Sequence, residues 1–271
     1  MSGDPSLMID AVQPVELLHP LNYRLVGWWL PLPGQAGGPL LRNLLRFGDS
    51  NGLHGSLSGP TWGTSSNPSG FGELSFDGND MVTIGTAGIT RTAGQPLTAS
   101  AWAMPNLASA AFHGVITNRS GAGAGQIWRL GQNNNLWNFG YDITGNGAEV
   151  QAVAPVNLRW THICGVYDGD AIKLYVNGVF KNQTTGKPNA TSTVDTLRIG
   201  SGDSGGSEYW IGRITDVRVY LRALSNTEVG TLYEQSQLGH PSTLRRLKKR
   251  AYSFGPTVSQ RANFLTLLDV A

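Results

Sequence analysis

Through the middle of the chain apolar residues fall at every second position in short runs, and clusters of Gly, Asn and Ser separate the runs. A period of two is that of a strand with one buried face. It predicts strands over 74–76, 81–84, 97–102, 114–117, 127–130, 136–141, 149–153, 161–167 and 172–176. The turns between them hold Asp77-Gly78-Asn79-Asp80, Asn133-Asn134-Asn135 and Asn177-Gly178. Asn and Gly tolerate positive φ, so Asn177-Gly178 between two apolar runs is the clearest hairpin. One stretch of the body reads as helix: Ser225 as cap, Glu228 three residues on, then Val229, Leu232 and Tyr233 at helical spacing.

Composition sharpens this pattern. Glycine contributes 36 of 271 residues and charged residues only 14%, which disfavours helix bundles and charge-rich disorder. No fixed-period repeat appears, so one domain is expected over residues 25–237. Before it lies an arm, 1–24, with Pro5, Pro14 and Pro20, and after it an appendage, 238–271. The start carries Asp4, Asp10 and Glu16 with no basic region before an apolar run, so no secretory leader is expected. Gly or Pro breaks every apolar run well short of the roughly 20 residues of a membrane-spanning helix. Cys164 is the single cysteine and cannot form an internal disulfide.

The formal net charge of +2 is unevenly spread. Residues 239–271 carry six Lys or Arg against Asp269, a segment of +5, which leaves the remainder at −3. Arg245, Arg246, Lys248, Lys249 and Arg250 could dock on an acidic partner, or could form the solvated side of a short helix held by Leu244 and Leu247. Nucleic acid is not the expected partner.

Five segments carry a family resemblance: 74–80 (LSFDGND), 97–102 (LTASAW), 160–169 (WTHICGVYDG), 174–178 (LYVNG) and 212–220 (GRITDVRVY). In content and order they resemble the laminin G-like, concanavalin A-like superfamily over about residues 25–237. The resemblance implies an all-β jelly roll of two antiparallel sheets, with a short helix near 225–237 after the last strand.

Relatives of this fold that cleave glycans use two carboxylates on one strand, at even spacing so that both face one side. No such pair occurs here. His162 and Cys164 share a strand face and are expected in the core, and Gly121 to Gly125 is a loop rather than a phosphate cradle. A calcium ion is the one cofactor the resemblance raises, with Asp77, Asn79, Asp80 and Asp216 as candidate oxygen ligands. The alternative is that Asp77 shapes a turn and Asp216 satisfies buried backbone groups. For glycan binding, Trp128, Trp137, Tyr141 and Asn138 lie on two consecutive strands, where they would form either an aromatic platform or core.

No catalytic constellation, no leader and two appendages point first to a non-enzymatic structural or adhesive protein on a larger assembly. Its most concrete form is a bacteriophage capsid decoration or other virion surface protein, docked on capsid subunits by its terminal arms. The alternative is a glycan-binding module of a cell-surface or exported protein; a glycoside hydrolase ranks third.

Overall fold

The computed structural model describes residues 20–32, 37–46, 53–63, 67–85, 95–106, 111–121, 124–141, 148–186, 196–202 and 208–237. In chain order the strands are β1 (Leu25–Trp29), β2 (Leu40–Leu41), β3 (Gly55–Ser58), β4 (Thr61–Gly63), β5 (Glu73–Asp77) and β6 (Met81–Ile84). The central strands are β7 (Leu97–Pro105), β8 (His113–Gly121), β9 (Ala124–Asn133), β10 (Leu136–Tyr141) and β11 (Ala148–Ala152). Then come β12 (Thr161–Tyr167), β13 (Ile172–Val176), β14 (Val179–Thr184), β15 (Leu197–Ile199), β16 (Ile211–Tyr220) and the helix α1 (Asn226–Gln235).

These strands make two antiparallel sheets of the expected sandwich. The first runs β14-β13-β12-β7-β16-β5-β4, with β1 also paired to β16; the second runs β11-β10-β9-β8-β15-β6-β3-β2. β16 takes β5 along its first half and β1 along its second. A bulge between Thr215 and Arg218, with Asp216 at φ 49°, separates the halves.

The facing sheets interlock by size. The inner face of β7 presents Leu97, Ala99, Ala101 and Ala103, and that of β12 includes Gly165, all in register across the pair. Into the space they leave come Trp128 from β9 and Trp137, Phe139 and Tyr141 from β10, each at most 1% exposed. Phe139 lies directly over Gly165, and Tyr141 stacks on Tyr167 with centroids 3.9 Å apart.

The outer face of the first sheet is closed by α1, which begins as expected. Ser225 accepts from the Glu228 backbone N–H while the Glu228 carboxylate accepts from that of Ser225. Val229 and Leu232 bury against Cys164, Val166, Tyr175 and Tyr220.

The expected arm is shorter than 1–24. Leu21 is buried, Arg222 Nε donates to Tyr23 O at 2.8 Å, and Leu221 N–H donates to Arg24 O at 2.9 Å. Residues 20–24 are thus tied to the end of β16 and belong to the body. Residues 1–19 and the expected appendage 238–271, with Arg245, Arg246, Lys248, Lys249 and Arg250, lie outside the described residues.

A Cβ at position 165 would lie 2.2 Å from the Phe139 ring, whereas one at Gly85 meets nothing within 4 Å. Gly165→Ala is therefore expected to cost about 1–3 kcal/mol by overpacking, and Gly85→Ala almost nothing. Thermal melting of both variants checks this; equal melting temperatures would show that the sheets have slack between them.

Candidate functional site

The proposed aromatic platform is core. Alternation along β9 and β10 puts Trp128, Trp137 and Tyr141 on the face turned to the small residues of β7 and β12, where none presents a ring to solvent. Asn138 has the opposite parity and faces outward, yet it too is buried, donating Nδ2 to Glu149 Oε2 at 2.9 Å. These four residues therefore do not form a glycan platform.

What they leave on the outer face of the second sheet is a polar row that alternation alone does not reveal. Ser56, Thr83, Arg198, Thr117, Arg129, Gly140 and Glu149 stand opposite one another in consecutive strands. With strands about 4.8 Å apart, Arg198 and Arg129 are about 10 Å apart at their backbones. Glu149 gathers the row's end. It pairs with Arg129 and accepts from Asn133 at 3.0 Å, Asn138 at 2.9 Å and Gln151 at 3.2 Å. Arg129 in turn stacks on Phe112, 4.1 Å from the ring centroid. Three amide donors and the stacked Arg129 hold this carboxylate as a structural anchor, with its side chain 24% exposed at the sheet edge.

The four calcium candidates divide between two places. Asp77, Asn79 and Asp80 share the β5–β6 turn, where Asp77 N–H donates to Asp80 Oδ2 at 2.9 Å and Asn79 N–H to Asp77 Oδ1 at 3.3 Å. Burial pushes the Asp80 carboxyl up against the pull of the Asp77 backbone bond. Asp216 is elsewhere: Asp77 stands opposite Ile211, and Asp216 lies five positions further along β16, roughly 16 Å away at strand rise. Its oxygens are taken by Trp28 Nε1 at 2.7 Å and by Arg218, Nε at 2.8 Å and Nη2 at 3.0 Å. The four therefore do not converge. Among the described residues no three of His, Cys, Asp and Glu gather as a metal would need.

Beside the Asp77–Asp80 turn the structure opens a feature that sequence reasoning missed. A shallow depression of about 680 Å³ is lined by Gly37, Gly38, Leu57, Gly59, Pro60, Thr61 and Trp62. Trp62 is half-buried on β4 and donates Nε1 to Gly38 O at 3.2 Å, which fixes the indole against the glycine wall. Gly59 has φ 95°, and a Cβ there would lie 1.9 Å from Asp80 Oδ1. Only glycine lets the chain pass so close to the Asp80 carboxylate. The signal available in the sequence was Gly59-Pro60-Thr61-Trp62-Gly63, a Trp between turn residues rather than inside a long alternating strand.

On the helix-covered face of the first sheet His162 and Cys164 are core, as expected. The imidazole sits between Trp102 and Tyr233, with centroids 5.4 and 5.8 Å away. Burial drives its pKa down to about 4, with Asp216 opposing and Arg218 adding to the shift. Burial likewise pushes the Cys164 thiol up, away from a reactive thiolate.

Three comparisons bear on this architecture. The family model of the concanavalin A-like lectin/glucanases superfamily (Laminin_G_3) matches residues 76–230. No curated protein sequence matches the chain. The chain is similar to the binding domain of Paraclostridial Mosquitocidal Protein 1, with TM-score 0.61 and 14% identity over 79% of this chain and 52% of that one. It is similar to domain 4 of AbnA, a GH43 extracellular arabinanase from Geobacillus stearothermophilus, in complex with arabinotriose, with TM-score 0.56 and 14% identity over 78% of this chain and 98% of that one. It is also similar to Trypanosoma rangeli sialidase, with TM-score 0.58 and 16% identity over 79% of this chain and 33% of that one. The chain thus spans about half of the first of these and a third of the last. At such identities the likeness shows the fold alone.

The buried histidine makes stability depend on pH. Unfolded, His162 takes up a proton near pH 6.5; folded, only near pH 4. Between the two the unfolded state binds more protons, so stability falls as pH drops from 6.5, by about 3 kcal/mol once pH 4 is reached. Urea unfolding at steps across that window should show the decline, and His162→Phe should flatten it. A variant that declines as steeply as the parent would remove the histidine as its source.

Proposed function

The chain belongs to the concanavalin A-like lectin/glucanases superfamily, and from that premise we propose that it is a non-catalytic recognition module that binds a glycan at the Trp62 depression. The carrying observation is the half-buried indole in an open wall of Gly37, Gly38 and Gly59, with Thr61 beside it. An aromatic ring offers the apolar face of a sugar a stacking surface, and glycines leave room for it to approach. The domain from the arabinanase, whose structure holds arabinotriose, has the same fold and is of similar length, which supports the same ligand class here.

The carboxylates of the sheets support a reading without catalysis. Glu73 pairs with Arg213 at 3.0 Å, Asp168 with Lys173 at 2.6 Å, Asp216 with Arg218 and Glu149 with Arg129. Glu73 and Asp77 do share a face of β5 at even spacing, against the expectation of no such pair, but Glu73 is buried against Arg213 while exposed Asp77 accepts from the Asn79 N–H of its own turn.

Affinity electrophoresis against a panel of soluble polysaccharides tests the reading. The parent should be retarded by at least one; Trp62→Ala should bind about tenfold or more weakly and Trp62→Phe should retain part of the affinity, as stacking predicts. Equal retardation of parent and Trp62→Ala would place the ligand elsewhere, and no retardation on any polysaccharide would end the proposal.

A second reading rests on the charge split between the +5 segment 239–271 and the −3 remainder. Here the chain is an adhesive or structural component of a larger assembly, most concretely a virion surface protein, docked through Arg245, Arg246, Lys248, Lys249 and Arg250. Replacing those five with Gln should weaken co-sedimentation with the particle, and salt should do the same. Unchanged co-sedimentation at low salt would discard charge-driven docking.

A further inference from the structure

The Trp62 depression is built from two stretches of chain that carry no charge. Neither 27–41 nor 55–72 contains an ionisable side chain. The stretches meet at the depression, where Leu57 N–H donates to Pro39 O at 2.9 Å and Trp62 Nε1 to Gly38 O. Arg42 and His54, which bound them in sequence, stand at the opposite end of the β2–β3 pair, because Leu40 lies opposite Ser56 and Leu41 opposite Gly55.

Backbone groups supply polarity instead. β4 ends the first sheet and β2 the second, so the depression lies between two sheet edges. The N–H and C=O groups of an edge are neutral donors and acceptors, suited to hydroxyls.

The charge set against this wall is negative. Asp80 Oδ1 lies so close to Gly59 that a Cβ there would overlap it, which places a buried carboxylate directly behind the lining. Its other oxygen accepts from the Asp77 N–H, and Asp77 adds an exposed carboxylate to the same turn. A buried charge is screened less than an exposed one, so Asp80 is felt through the glycine. Arginines on the strands beside β5 and β6 are turned to other partners, Arg213 to Glu73 at 3.0 Å and Arg198 to Thr196 O at 3.4 Å.

We propose, on the basis of the glycan reading above, that the ligand of this depression is an uncharged sugar, and that Asp80 and Asp77 set this specificity by repelling carboxylated and sulfated sugars from the Trp62 ring. An anionic sugar would bring its charge towards two like charges and find no cation in the lining to meet it. A neutral sugar loses nothing by the same approach, since its hydroxyls meet backbone dipoles and its apolar face meets the indole.

The full chain tests this by affinity electrophoresis on arabinan, galactan, mannan and β-glucan, each beside its carboxymethyl form and its hydroxyethyl form, which adds similar bulk without charge. The +5 segment 239–271 would bind any polyanion, so binding at the site is read as the share lost in Trp62→Ala. In the parent that share should be about fivefold or more weaker on the carboxymethyl form than on the neutral and hydroxyethyl forms. The gap should narrow in Asp77→Asn/Asp80→Asn and, through the exposed acid alone, in Asp77→Asn, which leaves the buried turn intact. An equal or stronger Trp62-dependent share on the carboxymethyl form would overturn the charge selection and leave the glycan reading standing. So would rejection of the hydroxyethyl form, which would make bulk the filter, or a gap unchanged in both Asn variants. No Trp62-dependent share on any polymer would end both.

Discussion

The spacing between the two sheets is the constraint on which the rest of the molecule depends. Ala99, Ala101, Ala103 and Gly165 form a shallow floor, and Trp128, Trp137, Phe139 and Tyr141 fill it from above. Dispersion gains from such contacts are small individually and large in sum, and they require close approach. With the bulk supplied by one sheet, the other must stay small. This division of volume fixes which face of β9 and β10 turns inward, and so sends Arg129, Asn138 and, through β11, Glu149 to the outside.

The outward faces are correspondingly polar but not loosely so. Arg218 shows what burial of a charge demands: two bonds to Asp216, a Trp28 ring under the guanidinium, and an indole N–H on the same carboxylate. Removing one member would strand the others in a dry site, which costs more than the pair contributes when intact. Glu149 and its four donors follow the same logic on the second sheet. Such clusters specify register, because a one-residue slip would break every bond at once.

Much of the fold was legible in the sequence. Strands from 74 to 176, the Asn177-Gly178 turn and the Ser225 cap all follow from local chemistry, and the ordered segments pointed to the right superfamily. Alternation, however, states only that two faces differ and not which is wet, so Trp128, Trp137 and Tyr141 read equally as platform or core. The separation of Asp216 from Asp77 was illegible for another reason: it depends on register between β5 and β16, distant in sequence. Trp62 lies on a strand of three residues, too short to show a period, and β2, with two, escaped for the same reason. Pro20 in an apparent arm concealed the contacts Arg222 makes with the backbone of Pro20 and Tyr23.

The bulge at Asp216 divides β16 between two partners, and the second of them is β1. Leu25 stands opposite Tyr220, so the polypeptide enters and leaves this ladder at one end. Tension applied between the flanking segments would therefore open the β1–β16 bonds in succession, like a zipper, instead of shearing them together. Load arriving from beyond α1 reaches this seam only after Val229 and Leu232 are pulled from Cys164, Val166, Tyr175 and Tyr220, so the helix shields the ladder from that side.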